Sequence, residues 1–164
     1  MLTKEQLHEL FDYCDGELYW KVRPSPRSRK RIGDRAGCDF GNGRRIVGIG
    51  NKQYLVHRVI FMMHHGWVAD EIDHKIDISD IKDNRIENLR AATHGQNSHN
   101  AKLPKSNTSG IKGVSWSNTS KKWYVQVVCS KVHVVKQYFD DIELAELVAI
   151  EARNKFHGEF ARHN

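Results

Sequence analysis

The chain has 164 residues, with 26 Lys or Arg against 20 Asp or Glu and a formal net charge of +6 at pH 7. Hydrophobic residues at 39% and charged residues at 28% fit one folded domain or two small ones and exclude a disordered chain. No apolar run approaches the ~18–20 residues of a membrane span, and the positive balance points to a polyanionic partner, with nucleic acid first.

The N-terminal "MLTKEQLHEL" lacks the basic-then-apolar layout of a leader, so a cytoplasmic location is expected. Cys14, Cys38 and Cys129 are scattered, odd in number and without C-x-x-C spacing. That pattern suits a reducing compartment and argues against a structural zinc site. Thr3 followed by Gln6 forms a capping-box pattern, and Leu7, Leu10 and Phe11 follow at helical spacing. A short amphipathic helix is predicted there, then a turn at Asp15-Gly16 and a strand through "ELYW".

From Trp20 to Lys52 there are ten Lys or Arg against only Asp34 and Asp39. With its prolines and glycines this stretch predicts a basic arm bordered by short strands. Such an arm suits phosphate contacts, which hold a protein on DNA without reading bases. Arg27, Arg29, Lys30, Arg31, Arg44 and Arg45 are its candidates. "RRIVGIGNKQYLVHRVIFMMHHGW" predicts a hairpin turning at Gly50–Lys52 and then a helix from about His57 to His65. Leu55, Val59, Ile60 and Met63 form its expected core face.

Polar side chains crowd "IDHKIDISDIKDNRIENLRAATHGQNSHN". "VADEIDH" and "IENLRAAT" have strand character, with Leu89 inward, and Thr93 with Gln96 caps a further helix. Strand, loop, strand and helix can bring the Asp73 carboxylate and the Asn97 amide oxygen onto one hard cation. His74, pointing to the other strand face, is then placed as a base. An ordinary imidazole, with a pKa of about 6.5, is largely neutral at pH 7 and ready to take a proton from water. These are the parts of a phosphodiester hydrolase. His57 is expected to have a structural role.

"AKLPKSNTSG" predicts a linker. Beyond it, "GIKGVSW", "KWYVQVVC" and "VHVVKQYF" predict an antiparallel meander. Asp140 with Glu143 caps a helix from about Asp141 to Phe156, whose Ala145, Ala149, Ala152 and Phe156 share one face. Five acids and no Lys or Arg between Asp140 and Glu151 turn that helix away from DNA.

The segment "YLVHRVIFMMHHG…IDHKIDISDIKDNRIENLRAATHGQN" resembles the HNH endonuclease family, in its phage and intron-encoded homing form. The resemblance implies a ββα-metal (His-Me finger) core, Asp73 and Asn97 as metal ligands and His74 as general base. It gives Asn88 the middle role of bracing the loop and orienting the histidine, with Asn84 as its rival. His99 and Asn100 are further candidates near metal or phosphate. It also implies a divalent metal, Mg²⁺ first, and duplex DNA rather than a small molecule as substrate. The residues "SGIKGVSW", "KWYVQV", "YFDDIELAELVAIEA" and "HGEFA" resemble the plant ethylene-response-factor (APETALA-type) DNA-binding domain. In that family the sheet lies in the major groove and the helix backs it. Strand alternation puts Trp123, Val125 and Val127 toward the core, leaving Lys112, Ser115, Tyr124, Gln126 and His133 as candidates for DNA contact. Ser115 and Val128 stand where that family has arginines, so a sheet that positions rather than reads is equally open.

The expected architecture is therefore α+β. A basic region and nuclease domain occupy residues 1–100, with the ββα core at about 68–100. A linker follows at 101–108 and a DNA-binding domain at 109–164. The leading expectation is a metal-dependent DNA endonuclease acting in a bacterial host's cytoplasm if phage-encoded. Its rival is a non-catalytic DNA-binding regulator with a vestigial nuclease fold. Target site, nick or double-strand break, and oligomeric state are left open.

Overall fold

The computed structural model describes residues 2–41, 44–75 and 83–163. It divides into two compact units, Met1–Thr93 and His94–Asn164, each a mixture of short helices and small antiparallel sheets. Among the described residues no helix is long and apolar enough to cross a membrane.

The first unit begins with α1 (Lys4–Leu10), started by the expected capping box: Gln6 N–H donates to the Thr3 hydroxyl and Thr3 N–H to Gln6 Oε1. The helix ends one turn sooner than its apolar spacing suggests. Phe11 goes extended and opens β1 (Phe11–Cys14), a strand the helical pattern hides, because Leu7 and Phe11 both reach the core at 1% exposure. β1 pairs with β2 (Glu17–Trp20) across Asp15-Gly16. Both turn residues have positive φ, 45° and 80°, as a two-residue hairpin of matching twist requires. Gly16 is fixed a second time, since a Cβ there would stand 2.8 Å from the Arg85 backbone nitrogen. The turn thus lies tight against the segment that enters the polar site.

Strands β3 (Cys38–Phe40), β4 (Arg44–Ile49) and β5 (Lys52–Leu55) form a three-stranded sheet. It leads into α2 (Val56–His65), whose Val56, Val59, Ile60 and Met63 are buried. Leu55, expected on that face, is instead the extended residue before the helix and only half-buried. The last carbonyls of α2 are satisfied from α1. Lys4 Nζ donates to the His64 carbonyl at 2.9 Å, and the His8 ring bonds the Met63 carbonyl at 3.0 Å, as helix ends demand. Arg58 on α2 donates to the carbonyls of Ala69 and Asp70, both at 3.0 Å. That fork ties the helix to the chain entering β6 (Glu71–His74), which pairs with β7 (Leu89–Ala92). A 3-10 turn, Ile86–Asn88, precedes β7 and is held by the Tyr13 hydroxyl, which accepts from Ile86 N–H at 3.1 Å. The expected loop after His74 lies, over residues 76–82, outside the described residues.

The second unit opens with α3 (His94–His99). The boundary between the two compact units falls just before this helix. Lys112 donates to the carbonyls of His99 and Ala101, and the His99 ring stacks on His157. These contacts also hold the segment expected to be a linker. The meander is present as β8 (Val114–Ser117), β9 (Lys122–Cys129) and β10 (Val132–Phe139), with β9 central. Against it lies α4 (Ile142–His157), capped by Asp141 rather than Asp140, its carboxylate accepting from Glu143 N–H at 2.7 Å. Ala145, Ala149 and Ala152 face Val114, Val125 and Val127. Phe156, expected on the same stripe, is 39% exposed, and Phe160 at 4% is buried instead. At that turn of α4 the sheet has run out, since the Phe156 carbonyl already meets Cys129 Sγ at the end of β9.

Candidate nuclease site

Strand alternation sends neighbouring side chains to opposite faces, and Asp73 and His74 use it to reach different partners. Asp73 stands opposite Arg90 in the β6–β7 register. Its Oδ2 accepts from Arg90 Nη2 at 2.9 Å and from Nε at 3.1 Å. Both side chains are largely buried, 7% exposed for Asp73 and 11% for Arg90. Charge-assisted bonds from a fixed guanidinium hold the carboxylate in place. The sequence reading misses Arg90. Its position is recoverable only from the register of the hairpin, which residue types alone do not set.

On the other face, His74 Nε2 bonds Asn84 Oδ1 at 3.0 Å. Asn84 is 4% exposed. An amide oxygen only accepts, so Nε2 is the donor in this bond. This bond to the ring comes from Asn84. Asn88 acts elsewhere: its carbonyl accepts from Lys75 N–H at 2.9 Å and its side chain donates to Asp83. Asn88 braces the strand end and the turn without touching the imidazole through these bonds. Asp83 is held down to about 2, first by Arg85, and Arg85 also meets Asp15 and Glu87. A charged belt thus fixes the backbone on either side of Asn84.

Behind His74 stands His57, 7% exposed, its ring centroid 5.3 Å from that of His74. Burial first, then the charges of His74, Arg44 and Arg58, push its pKa down to about 3. Folded His57 thus stays neutral where the unfolded chain binds a proton below about pH 6.5. Stability from this group is complete above pH 6.5 and drains away as pH falls toward 3. The urea midpoint is expected to drop between pH 7.5 and 5, and His57→Gln to flatten that dependence. Parallel profiles for the two proteins would overturn the assignment.

Oxygen donors suit a hard cation, and the Asp73 carboxylate beside the hairpin fits that chemistry. Among the described residues no group of three or more His, Cys, Asp or Glu is arranged to hold a metal. Asn97 is half-buried on α3 of the second unit.

The basic arm is an ordered turn. Arg23 donates to the Ser28 carbonyl and Arg31 N–H to Asp34 Oδ2. Arg27, Arg29, Lys30 and Arg31 line one exposed concavity with Arg23, and Arg44 is exposed too. Arg45 must be corrected. At 5% exposure its guanidinium is locked to Glu17 and the Ala36 carbonyl, so it holds β2 to β4 and cannot reach a phosphate.

In the second unit Trp123, Val125 and Val127 take the inner face as expected. Ser115, Gln126 and His133 are exposed, and Tyr124 is half-buried against Tyr138 at 4.9 Å. Lys112 leaves this face, its ammonium turned to the His99 and Ala101 carbonyls at 2.7 and 2.6 Å. The sequence reading also misses Lys136 and Tyr138, which pair with Gln126 and Tyr124. A register shift between His133 and Val135 breaks the alternation that would have revealed them.

A family model described as "HNH endonuclease" matches residues 54–99. The chain is 44% identical over 94 residues to Protein 3.8 of Escherichia phage T7, covering 56% of this chain and 73% of the relative. No solved structure matches.

Proposed function

The chain belongs to the family of the phage T7 Protein 3.8 and carries an HNH endonuclease domain; from that premise we propose that it is a metal-dependent endonuclease of the homing type that hydrolyses phosphodiester bonds in duplex DNA. The carrying observation is the β6–β7 pair, where Asn84 Oδ1 bonds His74 Nε2 and Arg90 holds the neighbouring Asp73. His74 takes the proton from the attacking water. Asp73 supplies a carboxylate oxygen to a divalent cation, Mg²⁺ first, and the family resemblance adds the Asn97 amide as a second donor. When bound, such an ion offsets charge on the scissile phosphate and the departing oxyanion. The products are a 3′-hydroxyl and a 5′-phosphate, and the setting is a phage-infected host cell.

The arm and the outer face of the C-terminal sheet hold the duplex, and the C-terminal unit acts as an ethylene-response-factor-like DNA-binding domain. Supercoiled plasmid with protein and Mg²⁺ is expected to be nicked or linearised, and EDTA to stop it. A gel shift without cutting under any divalent metal would instead mark a DNA-binding regulator. Replacing Arg27, Arg29, Lys30 and Arg31 together by alanine is expected to weaken binding to all duplexes alike. The slope of log affinity against log salt should become shallower by about 0.9 for each phosphate that the protein no longer neutralises. An unchanged slope would remove the arm from the interface.

A further inference from the structure

The second unit contains a pocket that the proposed hydrolysis does not use. It has a volume of about 420 Å³, with Lys112, Gln126, Arg153 and His157 in its wall. Arg153 is 2% exposed. Its Nη1 donates to the Lys112 carbonyl and its Nε to His163 Nδ1 at 3.3 Å. Its Nη2 is buried with no hydrogen-bond partner. In the same wall the half-buried Lys112 ammonium gives two of its three protons to backbone carbonyls, which leaves one donor. Beside them His157 bonds the Val128 carbonyl through Nε2 at 2.9 Å, while its buried Nδ1 has no partner. Glu146 acts on Arg153 from two helical turns away. Among the described residues, however, no Asp or Glu forms an ion pair with Arg153 or Lys112.

A buried guanidinium proton without an acceptor is costly, and two cations sharing one wall repel. Burial, then Arg153 and Arg162, already pushes the Lys112 pKa down to about 8. An oxyanion would satisfy both groups at once through charge-assisted bonds. Packing alone explains Nη1 and Nε of Arg153, which clamp the 112–113 turn and the C-terminal segment. It gives no account of Nη2. We propose that this pocket binds a phosphate group, held by Arg153 Nη2 and the Lys112 ammonium.

The phosphate can come from a DNA strand or from a free anion, and one titration separates these sources. Full-length protein in EDTA is titrated with inorganic phosphate, then with a short duplex, while the His157 ring signals are followed by NMR. Saturable shifts are expected with phosphate, weakened at least about tenfold in both Lys112→Met and Arg153→Lys, the loss of one charge-assisted bond. Displacement of phosphate by the duplex, with matching losses in both variants, makes the strand the source. Phosphate binding without displacement makes it a free anion. If Arg153→Lys fails to fold, Lys112→Met decides, since it leaves the α4 wall intact. No saturable shift with either ligand, or equal affinity in wild type and Lys112→Met, would overturn the proposal. EDTA removes any cutting, so failure of the nuclease reading would not disturb this result.

Discussion

His74→Ala is expected to cut supercoiled plasmid at least ~10²-fold more slowly than wild type, the lower end of what a positioned general base contributes, with an unchanged gel shift. The imidazole is oriented by Asn84 at 3.0 Å, whereas β6 and β7 are joined through their backbones. Losing the ring should therefore leave the strand pairing in place. Asn84→Ala then tests orientation separately from chemistry. Without the Oδ1 acceptor the ring loses this hold on its orientation. An intermediate loss of rate is expected, with a pH–rate profile displaced from that of wild type. Asn88→Ala should move the profile less, because the Asn88 bond to Lys75 N–H runs through the backbone. Equal cutting by His74→Ala and wild type would remove His74 from the mechanism. A profile displaced by Asn88→Ala but not by Asn84→Ala would return the orienting role to Asn88.

That exchange between two asparagines marks where residue patterns stop being informative. The pairing of Asp73 with His74, the strand through Leu89 and the capping signals at Thr3 and near Asp141 are legible, because each rests on local spacing. The partner of His74 is not. Whether Asn84 or Asn88 meets the ring depends on how the chain turns between β6 and β7, and the 3-10 turn at Ile86–Asn88 redirects those side chains. Arg45 fails for a related reason. Its neighbours in sequence are basic and solvated, but its partner Glu17 comes from a strand 28 residues earlier. Charge density along a chain reveals an electrostatic footprint without saying which member is spent on the fold. β1 stays hidden because Leu7 and Phe11 fit one helical face and still reach one core after the backbone changes conformation.

Asp73→Ala carries the second large expected effect, and it acts on stability as well as on cutting. The carboxylate is buried against Arg90. Removing it breaks a largely buried ion pair, a loss that typically costs ~3–5 kcal/mol. A marginally stable domain should show this as a large fall in urea midpoint. Lost cutting in Asp73→Ala alone would therefore be ambiguous. Asp73→Asn resolves it, because the amide keeps the volume and one oxygen acceptor for Arg90 while discarding the charge a divalent cation needs. This variant is expected to retain most of the folded stability and to cut at least ~10-fold more slowly at low Mg²⁺, with partial recovery as the metal is raised. Arg90→Ala gives the reciprocal case, a buried carboxylate without its cation, which should lose stability while its residual activity keeps the wild-type response to Mg²⁺. If Asp73→Asn cuts at the wild-type rate across the Mg²⁺ range, the carboxylate is a structural partner of Arg90 and the metal is held by other atoms.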